Sequence, residues 1–524
     1  MTESLRPELQ ALQQRLQRTL DEQRVEACER RHAAGYRTAR ENLNDLVDAG
    51  SFQEYGQLAV AAQRTRRDYF DLQTSTAGDG VITGTATINA ARVGPRAARV
   101  AVVVNDYAVL AGTQGFFHHR KLDRICALAE KHHLPVVMYT EGGGGRPGDT
   151  DVLTHIAGLH VESFSAWARL SGTIPRIAVN NGYCFAGNAA LFGCADFTIA
   201  TRSSWIGMAG PAMIEGGGLG KVAATEIGPL DSQLKNGVVD LAADDEAQAT
   251  ALAQQLLGYF QGPVDDWSCV DQAPLRDLVP EDRRWAYPVR KVIETLADTG
   301  SFLELRRVYG RGIITGFMRL EGLPVALIAN DCQQLGGAVD AESAEKAARF
   351  LQLCNAFGLP VVSLTDTPGF MVGPASEREA AVRRMSSLFI AGASLRVPVI
   401  AVFLRKGYGL GAMAMTGGSF VAPVYAAAWP TGEFGGMGLE GAVRLGYRKE
   451  LEAIADETER EQLFEQLLAK LYEAGKATEA ASFLEIDAVI DPVDTRLTVL
   501  RALRTAGVCP QRVEPADPEG QLTQ

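Results

Sequence analysis

The 524-residue chain is poor in the side chains on which many enzymes build a reaction centre. Its seven histidines, His32, His118, His119, His132, His133, His155 and His160, all fall before residue 161, so the rest of the chain has none. No Gly-x-Ser-x-Gly segment occurs, which removes the nucleophile elbow of serine hydrolases. The eight cysteines are scattered, with no Cys-x-x-Cys pair and no Cys/His group of metal-ligand spacing, so no metal site is expected. Basic surplus is also missing. A formal charge of -12 and a pI near 5.3 exclude general attraction to nucleic acid or to an anionic membrane, and any anionic ligand must be held locally. No apolar run reaches the length of a membrane span, and the first residues lack the order of a signal peptide. A cytoplasmic location with reduced thiols is expected.

Phosphate loops are missing as well. The Gly-rich runs "TEGGGGRPGDTD" (140–151) and "TDTPGFMVGP" (365–374) carry no following Lys-Ser/Thr, and no Gly-x-Gly-x-x-Gly follows the first strand. ATP or NAD chemistry within this chain is disfavoured.

What the chain does have is repetition. "DLVDAGSFQE" (45–54) returns as "TLADTGSFLE" (295–304), and "GDGVITG" (78–84) returns as "GRGIITG" (310–316). Asn105 and Asn330 open matching "ND" segments, Leu134 and Leu359 open "LPVV", and Gly182 and Gly407 open Gly-Tyr turns; each pair is separated by 225 residues. Matches in one order define two homologous units, roughly 30–260 and 285–500. "QGPVDDWSCVDQAPLRDLVPEDRRWAYP" joins them.

Within each unit, short apolar runs alternate with helical periodicity. "RVAVVVND" and "PVALIAND", then "LPVVMYTE" and "LPVVSLTD", then "IPRIAVNNG" and "VPVIAVFLRKG", read as buried strands. "RKLDRICALAEKHH" and "ESAEKAARFLQLCNAFG" read as helices. This order predicts an α/β fold with a largely parallel sheet in each half. Leucines at helical spacing among Gln, Arg and Glu before residue 30 predict a surface helical arm.

Each third strand ends at a Gly-Tyr turn and enters a small-residue run, "FAGNAALFG" or "LGAMAMTGG". Main-chain N–H groups at such a turn, with small side chains around them, can face an oxygen that gains negative charge. Tight packing of helix on sheet is the alternative use of the same residues. His118 and His119, with Arg120 and Lys121, stand at a helix start that either meets an anion or is simply solvated. Without an evident side-chain nucleophile, the two turns point to backbone electrostatics.

At this stage the sequence resembles the carboxyltransferase (β) subunits of biotin-dependent acyl-CoA carboxylases, of the propionyl-CoA and methylcrotonyl-CoA kind. The resemblance rests on "TARENLNDLVDAGSFQE", "NDYAVLAGTQG", "TDTPGFMVG", "RKGYGLGAMAM" and "AWPTGEFGGMGLEGAV", in that order. It implies two crotonase-like (ββα-superhelix) units: an arm at 1–29, an acyl-CoA unit at 30–262, a linker at 263–284, a carboxybiotin unit at 285–510 and a tail at 511–524. The active site is expected where the first unit of one subunit meets the second of another.

By the same resemblance, Ala186 and Gly187 hold the acyl thioester oxygen. Leu410 and Gly411 hold the ureido oxygen of carboxybiotin, with Gly409 and Ala412 flanking them. Gly143, Gly144, Lys121, Tyr183, Phe185, Tyr408 and Met413 are expected to line the substrate and cofactor sites. An enolate forms on the acyl-CoA and attacks CO2, so oxygens on both reactants gain charge and two oxyanion holes are needed. Biotin is expected on a partner, since no Met-Lys-Met segment occurs. The implied partners are a biotin carboxylase and a biotin carboxyl carrier subunit, around a homo-hexamer built as a trimer of dimers.

Departures from the family pattern bear on the substrate. Glu141 and Arg146 are new polar neighbours of the first Gly-rich turn, and Met413 stands where short-chain acyl-CoA enzymes carry Asp, so a substrate other than straightforward propionyl-CoA is expected. A subunit running the reverse decarboxylation, or a non-catalytic scaffold, are the competing readings.

Overall fold

The computed structural model of the chain describes residues 6–152 and 160–508. His155, the first five residues of the arm and the 511–524 tail lie outside the described residues. The chain divides into two compact units between Gln261 and Gly262. Segment 263–284 belongs with the second: Val264 N–H donates to Gly322 O at 3.2 Å, Thr299 N–H donates to Ser268 O at 2.7 Å, and Leu275 enters that unit's core.

In the first unit the strands are β1 (Gln53–Tyr55), β2 (Val81–Thr87), β3 (Arg99–Asn105), β4 (Val136–Tyr139), β5 (Arg176–Asn180), β6 (Tyr183–Phe185), β7 (Phe197–Thr201), β8 (Trp205–Gly207) and β9 (Leu241–Ala243). Their sheet runs β1-β2-β3-β4-β5-β7-β9, and β6 pairs separately with β8. The second unit holds β10 (Leu303–Leu305), β11 (Ile313–Leu320), β12 (Leu323–Asn330), β13 (Val361–Thr367), β14 (Val399–Tyr408), β15 (Tyr425–Ala428), β16 (Glu433–Gly435) and β17 (Ala488–Val489). Its order is β10-β11-β12-β13-β14-β15-β17, with β16 on β14. The two sheets thus repeat one topology.

From β3 to β9, and from β12 to β17, neighbours are parallel; β1-β2-β3 and β10-β11-β12 are antiparallel edges. In the second unit the connection explains the antiparallel β11–β12 pair. Only Glu321 and Gly322 separate β11 from β12, too few residues for a crossover, and both have positive φ (52° and 76°) as a tight hairpin requires.

Buried β-branched runs form the central strands because both sheet faces are covered. Helix Phe116–His132 lays Leu122, Ile125, Cys126 and Ala129 into the first core with Val103, Met138, Trp167 and Phe192, and ends at His133 in the left-handed region. Helix Ala341–Ala356 starts where the Asp340 carboxylate accepts from Ser343 N–H at 2.8 Å. Buried indole N–H groups are satisfied: Trp167 donates to Leu191 O and Trp429 to Thr495 Oγ1, both at 2.8 Å. The arm is helical over Pro7–Gln17 and Val25–Ala33. Its Arg15 and Arg18 reach Tyr69 Oη and Gln73 Oε1, each at 2.6 Å.

Candidate active site

The first Gly-Tyr turn is made where β5 ends at Asn180 and helix Gly187–Gly193 begins. Gly182 has no room for a side chain: a Cβ there would lie 2.1 Å from Glu141 Oε1. Glu141 itself is buried and held by both guanidinium nitrogens of Arg31, at 2.8 and 3.0 Å. Burial pushes its carboxyl up to about 7 against the pull of Arg31. Ala186 adopts φ +50°, and its N–H donates to Gly207 O at 3.1 Å, so that amide is engaged within the protein. The main-chain N–H groups of Gly187 and the following residues are those of a helix's first turn, which has no intrahelical acceptor.

The loop after β4 backs this turn. Gly142 N–H donates to Tyr183 O at 2.7 Å, Phe185 N–H returns a bond to Gly142 O at 3.0 Å, and Gly143 N–H donates to Ala111 O at 3.1 Å. Gly144 N–H donates to Asn188 Oδ1 at 3.0 Å, and a Cβ on Gly144 would come within 2.7 Å of the Ala186 methyl. Tyr183 stacks on Phe185 and Trp205 with centroids 5.7 and 4.9 Å away. Gln114 lies over Gly187, whose Cβ would sit 2.3 Å from Gln114 Oε1. Gly143, Gly144, Tyr183, Phe185, Ala186 and Gly187 are therefore brought together.

Lys121 is elsewhere. It is buried, with Nζ donating to Gly78 O at 3.0 Å and to Val81 O, and desolvation lowers its pKa to about 8. His118 is equally internal: Nε2 lies 2.9 Å from Asn105 Oδ1, its N–H donates to Asp79 at 2.8 Å, and burial holds its pKa well below the usual value. At this helix start the first N–H groups are taken by the Asp149 and Asp79 carboxylates, His118 and Lys121 face inward, and Arg120 stays exposed. Arg146 bridges Asp79 at 2.5 Å and Asp149 at 3.0 Å, tying the Gly-rich loop to the helix. His119 contacts Ser163 Oγ at 3.0 Å, but that hydroxyl donates to Asp123, the wrong direction for a nucleophile.

The second turn repeats the first. β14 runs into helix Gly409–Met415, with Gly409 at φ +58°. Leu410 is 60% exposed, and a Cβ on Gly411 would lie 2.6 Å from Gly369 C. The loop after β13 thus backs this turn as the loop after β4 backs the first. Asp366, 225 residues after Glu141, is buried, bridges Arg405 at 3.0 Å and accepts from Lys406 N–H at 3.1 Å. Bridge pairs Gln114–Gly145 and Val339–Phe370 show the same spacing. Tyr408 donates to Glu433 Oε2 at 2.8 Å, and Ala412 is buried beneath the turn. A cavity of about 620 Å³ opens beside Gly409 and Met413, walled by Phe420, Phe434, Gly436 and Phe483.

Among the described residues no group of three or more His, Cys, Asp or Glu is placed to hold a metal ion, and no helix is long and apolar enough to cross a membrane. Two small-residue turns, each backed by a Gly-containing loop anchored on a buried carboxylate, stand at equivalent places in a duplicated α/β scaffold. The sequence matches the carboxyl transferase domain family over residues 30–512, and the chain belongs to that family. It is similar to the propionyl-CoA carboxylase beta chain of Saccharopolyspora erythraea, 32% identical over 503 residues, covering 91% of this chain and 89% of that one. Among solved structures, a single-chain, multi-domain long-chain acyl-CoA carboxylase superposes with TM-score 0.90 at 55% identity, over 95% of this chain and 49% of that protein. The chain therefore spans about half of that relative. A transcarboxylase 12S structure, a hexamer assembly with methylmalonyl-CoA bound, superposes with TM-score 0.83 at 29% identity, over 99% of this chain and 98% of that one. The chain is a carboxyltransferase of the biotin-dependent acyl-CoA carboxylase kind, with the two-unit crotonase-like fold.

Sequence reasoning missed Arg31, Gln114 and Asn188. Arg31 and Asn188 meet their partners across 110 and 44 residues, beyond any local pattern.

Proposed function

We propose that the first turn takes the thioester oxygen of an acyl-CoA and the second takes the ureido oxygen of carboxybiotin. The observation that carries this is the repetition of one design, turn, backing loop and buried acid, at equivalent places in both units. Gly187 and the residues after it supply main-chain donors to the thioester oxygen, which lowers the energy of the enolate relative to the bound acyl-CoA. Leu410 and Gly411 hold the ureido oxygen in the same way, with Gly409 and Ala412 keeping the approach small. Carboxybiotin, when bound, supplies the carboxyl group. The cavity beside Gly409 is of a size for a small bicyclic ligand, and Phe420, Phe434 and Phe483 give it apolar walls. The engaged N–H of Ala186 moves our donor assignment in the first unit one residue on, to Gly187 and its successor.

The proposed substrate is a long-chain acyl-CoA, by similarity to the 55% identical long-chain acyl-CoA carboxylase. The proposed partners are a biotin carboxylase and a biotin carboxyl carrier, the assembly a homo-hexamer as in the transcarboxylase 12S structure, and the location cytoplasmic. The proposed acyl-CoA unit is 30–262 and the carboxybiotin unit 285–510. Reconstitution with a biotin carboxylase and a biotinylated carrier tests the reading: ATP-dependent carboxylation of palmitoyl-CoA is expected, and turnover only in the decarboxylating direction would overturn it.

A further inference from the structure

Gln114 stands out among the buried polar groups because its side chain has no evident task in the fold. The residue is 3% exposed, and Nε2 has no hydrogen-bond partner. The backbone is fixed at both ends of the residue: Gln114 N–H donates to Gly144 O at 2.7 Å, and Gln114 O accepts from Arg146 N–H at 2.8 Å. The carboxamide is thereby held against Gly187, with Oε1 2.3 Å and Cδ 3.1 Å from where a Cβ would stand. Phe164 closes the other side at 3.2 Å. A buried amide without an acceptor destabilises the protein in which it sits, so such a group calls for a role. The duplicate sharpens the point. Val339 occupies the equivalent bridge position opposite Phe370, so the fold itself accepts an apolar residue there.

We propose that the Gln114 carboxamide is a side-chain donor to the acyl thioester oxygen, acting beside the Gly187 main chain. The inference rests on the acyl-CoA reading of the first turn. The two ends of a carboxamide exchange by a half-turn about Cγ–Cδ. That turn breaks no bond to Nε2, since Nε2 has none. It brings an N–H to the position Oε1 holds against Gly187, where an oxygen gaining charge accepts it. No covalent bond or proton transfer is involved; the donor stabilises the enolate oxygen through a charge-assisted hydrogen bond. The first unit then differs in kind from the second, where both donors are main-chain.

The test is Gln114→Met, close in shape and lacking the N–H, in the full chain reconstituted with its biotin carboxylase and biotinylated carrier. Loss of one such donor is expected to lower kcat on the order of 100-fold, while the melting temperature stays at or above that of the wild type. Affinity for a thioether analogue of the acyl-CoA, which has no carbonyl oxygen, is expected to be equal in both proteins. Unchanged kcat overturns the proposal. So does a fall in melting temperature with a parallel loss of thioether binding, because that is the signature of a structural residue. A wild type that carboxylates no acyl-CoA refutes the underlying reading instead, and is seen before the variant is made.

Discussion

Replacing Gly411 by alanine adds one methyl group to the second turn, and its consequence follows from three distances. The new Cβ would lie 2.6 Å from Gly369 C, 2.7 Å from Gly369 Cα and 2.9 Å from Phe370 N. Ordinary carbon contacts are about 3.5 to 4.0 Å, so helix start and loop must part by roughly 1 Å. The loop has little freedom to retreat. Gly369 O accepts from Val339 N–H at 3.0 Å, Met371 N–H donates to Val339 O at 2.8 Å, and Gly369 N–H donates to Thr367 Oγ1 at 3.1 Å. Overpacking of this kind costs about 1 to 3 kcal/mol of stability. A displacement of this size in a group that positions a reactant lowers turnover on the order of 100-fold. The assay is carboxyl transfer with a biotinylated carrier, beside calorimetric binding of the acyl-CoA, which the first turn is proposed to hold and the variant leaves alone. Urea unfolding reports the stability term separately. Turnover within twofold of wild type, in a variant whose stability has dropped as expected, would refute the use of this turn as a donor site.

Three further outcomes are expected. Gly187→Val drives a side chain into Gln114, 2.3 Å from the first added carbon, and should lower both acyl-CoA affinity and kcat with a barrier increase of about 3 kcal/mol or more, measured as kcat/KM. Glu141 is raised in the folded state from 4.5 to about 7, so its contribution favours folding at low pH and is lost as pH rises through that window. The Glu141→Gln variant should therefore show a flatter dependence of unfolding free energy on pH between about 4.5 and 7; an unchanged slope would count against the burial argument. His119→Ala removes a ring that meets Ser163, Phe164 and the His118 ring, none of them a donor assigned to either oxygen, and its turnover should stay within about threefold of wild type.

Much of this was legible in the sequence, and the exceptions share a cause. The central strands declared themselves because β3, β4 and β12 to β14 are short apolar runs buried on both faces. The antiparallel edges did not, because β2 carries Gly84 and Thr83 where an apolar run would have flagged it. Gly84 is there because Phe52 and Gln53 O would lie within 2.5 Å of a Cβ, a contact no local pattern reveals. Lys121 and His118 stand in a basic run that reads as a helix end facing a ligand or solvent, yet they face inward on the same helix stripe as Leu122 and Ile125, Lys121 on the carbonyls of Gly78 and Val81 and His118 Nε2 against Asn105 Oδ1. The two turns were found through the repeat, since Gly182 and Gly407 stand 225 apart and mark each other, and Gly143 and Gly144 through the Gly-rich run and the family resemblance. Gln114 was passed over for the reciprocal reason: its partner in the repeat is Val339, and the difference between copies is what makes it informative.

The most direct measurement is carboxyl exchange by the purified chain alone, with the α-carboxylated product of palmitoyl-CoA and free biotin in place of the carrier. The proposed use of the two turns predicts slow, saturable transfer of label from CoA ester to biotin, abolished by Gly411→Val and by Gly187→Val independently. Transfer that persists undiminished in both folded variants would contradict the account.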